Sequence, residues 1–301
     1  MPIPMNSLCY QCLIDKHIPT AQGYGGADGA TEFSRALLKA LADAPPETDS
    51  AMIGKTVQEL FHRYFDISPE EAYRKEKQQS NRFALEKLPQ IQKQIREAED
   101  PLYRAMQLAV LGNYIDFSAL GHSVSLDYLD TLLQTAHTID LDKTVYAQLC
   151  RELSQAKNLL LLCDNAGEVI FDIQLAETLK EAFPQLQITL CVRGKPICND
   201  ATREDLEGIS LPFPLIDNGC AVGGTPLKLV SEPCRRAVES ADVVLAKGMG
   251  NTETLYGCGH RIFYLFLVKC PRFMQYFGKE QMTPMLLRDP GNIQNTQEET
   301  L

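Results

Sequence analysis

Four short apolar runs in the second half of the chain constrain the fold most: NLLLLC (158–163), QITLCV (187–192), DVVLA (242–246) and IFYLFLV (262–268). None alternates with polar residues, so each predicts a strand buried on both faces. Helical patterns over 167–183 and 229–240 separate the first three. Strands alternating with helices predict a mainly parallel, Rossmann-like sheet with flanking helices.

The first half has a different pattern. TEFSRALLKALAD (31–43) puts Phe33, Leu37, Leu38 and Leu41 on one helical face, with Thr31 as its N-cap. Residues 70–97 form a long charged helical stretch in which Pro89 should end or restart the helix. PLYRAMQLAVL (101–111) predicts a helix with proline in its first turn, and 125–155 hold two weaker helical patterns. GYGGADG (23–29) is read as a flexible loop and a candidate lid, and the tail from Arg288 as loose or capping material. The expected organisation is α/β, with an all-helical domain over 1–150 and a Rossmann-like domain over 151–301.

Charge and composition exclude some functions. A net charge of −10 argues against nucleic-acid binding, which needs a positive footprint. It leaves room for an anionic small molecule in a locally positive site. No stretch reaches the ~18 apolar residues of a membrane span. MPIPMNSLCYQC lacks the pattern of a signal peptide, so the expected location is cytoplasmic. Ten cysteines, several within apolar runs, are then expected as buried thiols.

In open α/β sheets, ligands sit beyond the carboxyl ends of the strands. After the first run come Asp164, Asn165, Ala166, Gly167 and Glu168. After the second come Arg193, Gly194, Lys195, then Asn199 and Asp200. After the third come Lys247, Gly248, Met249, Gly250, Asn251 and Glu253. Carboxylate and amide oxygens suit Mg²⁺ or Mn²⁺, and Arg and Lys suit phosphate. Glycines ahead of helices let backbone N–H groups approach an anion. Taken alone, Asp164-Asn165 is equally an N-cap for the helix that follows. Three such ends together favour a site that handles phosphoryl groups. The patterns DxDxT, GxxxxGK[ST], GxSxG, GxGxxG after the first strand, and HExxH are all absent.

CDNAGE (163–168), VRGKPICNDAT (192–202) and AKGMGN (246–251) resemble the DUF89 family of metal-dependent damage-control phosphatases, also called ARMT1-like. LGNYIDF (111–117) and EAYRKEKQQSNRFAL (71–85) resemble further segments of it, and CYQC (9–12) resembles the amino-terminal cysteine pair of its prokaryotic subfamily. The resemblance spans roughly residues 9–270. It implies a divalent cation (Mg, Mn, Co or Ni) held by Asp164, Asn165 and Asp200, with Lys247 and Gly248-Met-Gly250 facing the phosphate. Asn113, Asp116, Glu168, Arg193 and Asn251 complete the expected substrate contacts. The implied activity is hydrolysis of phosphomonoesters of small metabolites, such as sugar phosphates or phosphopantetheine-like compounds, some of them damaged. An S-adenosylmethionine-dependent carboxyl methyltransferase and a non-enzymatic phosphometabolite- or metal-binding protein stand as alternatives. For Cys9 and Cys12, a second metal site or redox pair and plain packing are equally weighted, with His17 near enough in sequence to assist. His62, His122, His137 and His260 are read as structural, His122 being the least improbable exception.

Overall fold

A computed structural model describes residues 3–115 and 126–291, with side chains over 3–114 and 130–291. The helices are α1 (Ser7–Asp43), α2 (Ser50–Phe65), α3 (Pro69–Arg96), α4 (Pro101–Gly112), α5 (Leu126–Gln134), α6 (Lys143–Gln155), α7 (Glu168–Ala182), α8 (Glu232–Ser240), α9 (Gly248–Leu255) and α10 (Pro271–Phe277). The strands are β1 (Asn158–Leu162), β2 (Gln187–Val192), β3 (Leu215–Asp217), β4 (Val243–Lys247), β5 (Ile262–Leu267) and β6 (Pro284–Arg288). They form one sheet in the order β3-β2-β1-β4-β5-β6, parallel except for β6 against β5. This is the mixed α/β fold that the apolar runs predict.

The unalternated runs follow from this layering. Leu159 and Leu161 of β1 point into one apolar layer with α3, α4, α6 and α7. Leu160 and Leu162 point into the other layer, with α8 and α10. Phe263 and Leu265 divide from Tyr264 and Phe266 in the same way on β5. Each such side chain, wholly buried, contributes roughly 1.5–3 kcal/mol. The first layer joins α3 and α4 to the sheet in one core, so packing does not stop at residue 150. α4 lies close on α7, where a Cβ at Gly112 would stand 3.2 Å from Glu168 Cγ and Phe171 Cγ. The helices α1 and α2 form a separate apolar cluster around Phe33, Leu37, Val57 and Leu60.

Four local expectations are corrected. Residues 31–43 belong to α1, which begins at Ser7 with Asn6 accepting from the Leu8 N–H. Thr31 is therefore no cap, and its hydroxyl bonds back to the Ala27 carbonyl. GYGGADG is helical on either side of a kink at Gly26 (φ +64°), where two helical stretches meet to make α1, and Tyr24 packs on Phe61 and Phe65. Pro89 does not end α3, because Phe83, Ala84, Ile91 and Ile95 hold both sides of it in the core. The tail begins later than expected, since Arg288 closes β6.

Candidate active site

Strand order reverses at β1, with β2 and β3 on one side and β4 to β6 on the other. The carboxyl ends of β1 and β4 therefore border the crevice where such sheets bind ligands. β1 delivers Asp164 and Asn165 there, β2 delivers Arg193, and β4 delivers Lys247. Asp200 returns by a backbone bridge, pairing antiparallel with Asn165. The Ala201 N–H donates to the Asp164 carbonyl at 2.8 Å and the Ala166 N–H to the Asn199 carbonyl at 2.9 Å.

Asp164 and Asn165 do not cap α7. The cap position is Gly167, without a side-chain bond, and its own N–H donates to Asn81 Oδ1 at 2.6 Å. The helix leaving β4, α9, has no side-chain cap either. The helices α1, α2, α3, α4, α6 and α8 are all capped by a side chain. The start of α9 thus leaves first-turn N–H donors to whatever enters the crevice, whereas on α7 the Val169 and Ile170 N–H groups already donate to the Asn165 and Gly167 carbonyls.

Two ion-pair systems meet at Asp164. Arg193, 1% exposed, donates from Nε to Asp200 Oδ2 at 2.6 Å and from one terminal nitrogen to Asp164 Oδ1 at 3.1 Å. Its other terminal nitrogen reaches Asn251 Oδ1 at 3.2 Å. On the far side, Asn113 Nδ2 and Asn165 Nδ2 donate to Asp164 Oδ2 at 3.2 and 2.9 Å. Both amides also reach Glu168 Oε2, at 2.7 and 2.9 Å. Lys247 Nζ bonds Glu168 Oε1 at 2.7 Å, Asp172 Oδ1 at 2.6 Å and the Ala109 carbonyl at 2.9 Å.

Electrostatics follow from this crowding. Burial, then the charges of Asp200 and Glu168, push the Asp164 carboxyl well above its ordinary range, although Arg193 and Lys269 draw it down. Burial pushes Asp172 up to about 7 against the pull of Lys247. Burial lowers Lys247, but Asp172 and Glu168 outweigh it and keep the ammonium charged. Negative charge at Asp164 is thus under-compensated by the chain itself.

The donor set fits a hard divalent cation. Asp164 and Asp200 are adjacent buried carboxylates, and Asn165 Oδ1 takes part in no hydrogen bond among the described residues. The described residues contain no group of three or more His, Cys, Asp or Glu placed to hold a metal. Two carboxylates and an amide suit an ion such as Mg²⁺, which is commonly held by few protein ligands, water and substrate phosphate.

Several of the expected substrate contacts are occupied within the protein. Lys247 is 0% exposed and gives all three of its protons to internal acceptors. Glu168 is spent between Lys247 and the two amides. Asn251 clips the end of β4 to β1, donating to the Lys247 carbonyl at 2.7 Å and the Cys163 carbonyl at 3.2 Å. Gly250 packs against the backbone of Gly223. Gly248 touches the site, since a Cβ there would overlap Asp164. Asp116 and His122 lie outside the described residues.

Asp172 and Lys269 were not singled out from sequence, and Asn81 entered only as part of the segment 71–85. Asp172 stands one turn after Glu168 in the apolar stretch EVIFDIQLA, and an acid pair in such a segment signals a buried cation. Lys269 follows the fourth apolar run directly, so the strand-end rule reaches it. Asn81 sits one turn after Lys77 on α3, and both bind Asp205, at 3.1 and 2.7 Å. Cys9 is buried in the first turn of α1 and its thiol is pushed up by burial, while Cys12 is exposed. His17 packs edge-on against Phe61, and burial lowers it to about 4.

A family model, the damage-control phosphatase ARMT1-like domain, matches residues 5–284. The chain belongs to that family. It is 39% identical over 171 residues to damage-control phosphatase PH1575 of Pyrococcus horikoshii, covering 56% of this chain and 58% of that relative. It is 29% identical over 276 residues to a damage-control phosphatase of Archaeoglobus fulgidus, covering 88% of this chain and 92% of the relative. A crystal structure of the DUF89 family protein from Pyrococcus horikoshii superposes with a TM-score of 0.81 at 26% identity, over 95% of this chain and 99% of that one. The ARMT1-like chain described here has no helix, among its described residues, long and apolar enough to cross a membrane.

Proposed function

We propose that this chain is a metal-dependent phosphomonoesterase acting on small phosphorylated metabolites, such as sugar phosphates or phosphopantetheine-like compounds. The observation that carries the reading is the pairing of Asn165 with Asp200 across two strand ends. It gathers two carboxylates and an unused amide oxygen beside two uncapped helix starts. The names of the two archaeal relatives point the same way.

Asp164, Asn165 and Asp200 would hold the cation, with Mg²⁺, Mn²⁺, Co²⁺ and Ni²⁺ as candidates. When bound, it supplies Lewis acidity toward a phosphate oxygen and a lowered pKa for water. The first-turn N–H groups of α9 would face the incoming anion and add fixed donors as charge develops. Arg193 bridges Asp164 and Asp200 and fixes their relative orientation. Lys269, at the end of β5, adds positive charge near Asp164. Lys247 and Glu168 act from behind by orienting the amides.

A panel of phosphometabolites assayed with each metal tests this reading. Turnover should require a divalent cation, and Asp164→Ala and Asp200→Ala should each abolish it while leaving the circular dichroism spectrum unchanged. Full metal-dependent turnover in both variants would remove the assignment.

A further inference from the structure

Asp172 is wholly buried on α7, and the hydrolytic scheme gives it no task. It nevertheless begins a continuous series of contacts that ends at Asp164. Its Oδ1 accepts from Lys247 Nζ, which also donates to Glu168 Oε1. Glu168 Oε2 collects Nδ2 of Asn113 and of Asn165, and the same two nitrogens reach Asp164 Oδ2.

We propose that Asp172 is a positioning residue for the cation centre: it holds Lys247 against Glu168 and thereby fixes how Asp164 and Asn165 present their oxygens. An asparagine binds a cation through oxygen and repels it through its NH₂ group, so which end faces outward decides whether it is a ligand. Glu168 settles that choice for Asn165 by accepting from Nδ2 and leaving Oδ1 turned away. Glu168 can do so only while its other oxygen is anchored by Lys247. Lys247 in turn has three protons and three acceptors, of which Asp172 is the second carboxylate. Outer residues of this kind commonly change metal affinity 10- to 100-fold.

The inference rests on the metal-dependent reading, and cation binding separates the two without any assay of turnover. The full-length chain, stripped with a chelator, is titrated with Mn²⁺ in a calorimeter as wild type, Asp172→Asn and Asp172→Glu. Asparagine keeps an acceptor for Lys247 but removes the charge, and glutamate keeps the charge but displaces Lys247 by one methylene. Both should weaken Mn²⁺ binding, the asparagine variant by on the order of tenfold. The glutamate variant carries the test should the asparagine variant fold poorly. A purely structural Asp172 would lower the melting temperature and leave Mn²⁺ affinity within twofold of wild type, which overturns the proposal. Wild-type binding of Mn²⁺ without hydrolysis of any phosphoester would sink the phosphatase reading and leave Asp172 to be judged on affinity. Absence of Mn²⁺ binding by the wild type would sink both.

Discussion

Replacing Gly248 by alanine tests how closely the start of α9 is fitted to the site. Gly248 has φ +78°, and an added Cβ would stand 1.8 Å from Asp164 Oδ2 and 2.2 Å from its Cγ. The backbone conformation alone costs an L-residue about 1–2 kcal/mol. The overlap cannot persist, because real Cβ contacts essentially never fall below 3.0 Å. The Asp164 carboxylate must therefore move by about 1 Å or more, losing part of its bonds to Arg193, Asn113 and Asn165. A displacement of that size at a reacting centre costs on the order of 100-fold in rate. Gly208 provides the control, with φ +79° and open space where a Cβ would go. Gly208→Ala pays the strain alone. Each kcal/mol lowers Tm by roughly 2–4 °C in proteins of moderate size. Gly208→Ala should thus lose about 2–8 °C, measured by scanning calorimetry, and Gly248→Ala at least as much, whereas only Gly248→Ala should lose metal affinity and turnover. Gly248→Ala with turnover within threefold of Gly208→Ala would refute the placement of α9 against Asp164.

Burial pushes Glu253 up to about 7 from an ordinary 4.5, although Ser50 donates to it from both N–H and hydroxyl. The folded chain therefore holds a proton that the unfolded chain has released between about pH 4.5 and 7, and stability falls as pH rises through that window. Glu253→Gln should flatten this slope and leave the variant up to roughly 3 kcal/mol more stable than wild type at pH 8, at about 1.4 kcal/mol per pKa unit. Identical changes of Tm between pH 5 and pH 8 in both proteins would contradict it. Lys269→Met should weaken inhibition by inorganic phosphate by on the order of tenfold or more, the value of one charge-assisted contact. An unchanged inhibition constant would place the Lys269 charge away from the anion.

The strand cores and the residues at their ends were legible because a parallel strand buried on both faces has one appearance in sequence. β3 and β6 were not. Leu215–Asp217 has only three residues, and Pro284–Arg288 is an edge strand paired on one side, so neither carries the apolar run of β1. Asp164, Asn165, Arg193 and Asp200 could be grouped from position alone. The direction in which Lys247 points could not. Strand ends show which groups arrive, whereas partners from α4 and α7, namely Ala109, Glu168 and Asp172, decide whether a cation faces outward or inward. The continuity of α3 through Pro89 was hidden for a related reason, since tertiary packing overrode a residue that breaks isolated helices, whereas the glycines of GYGGADG do kink α1 at Gly26.

The charges of the site make its two ligands depend on each other. Asp164, Glu168, Asp172 and Asp200 bring four buried acids together against the paired Arg193 and Lys247, with Lys269 acting on Asp164 from β5. Burial and mutual repulsion push Asp164 and Asp172 toward the protonated form, so a further positive charge favours their ionised forms. With all four acids ionised against Arg193, Lys247 and Lys269, an arriving phosphate dianion meets a site of net negative charge. A divalent cation reverses that balance, so each ligand should raise the affinity of the other by the same factor. Inorganic phosphate should bind at least about tenfold more tightly with saturating Mn²⁺ than with a chelator present, a coupling of about 1.4 kcal/mol. Saturating phosphate should tighten Mn²⁺ by the matching factor in the reverse titration. Equal phosphate affinity with and without the metal would mean that the helix starts and Lys269 suffice for the anion, and that the acids serve something other than the cation.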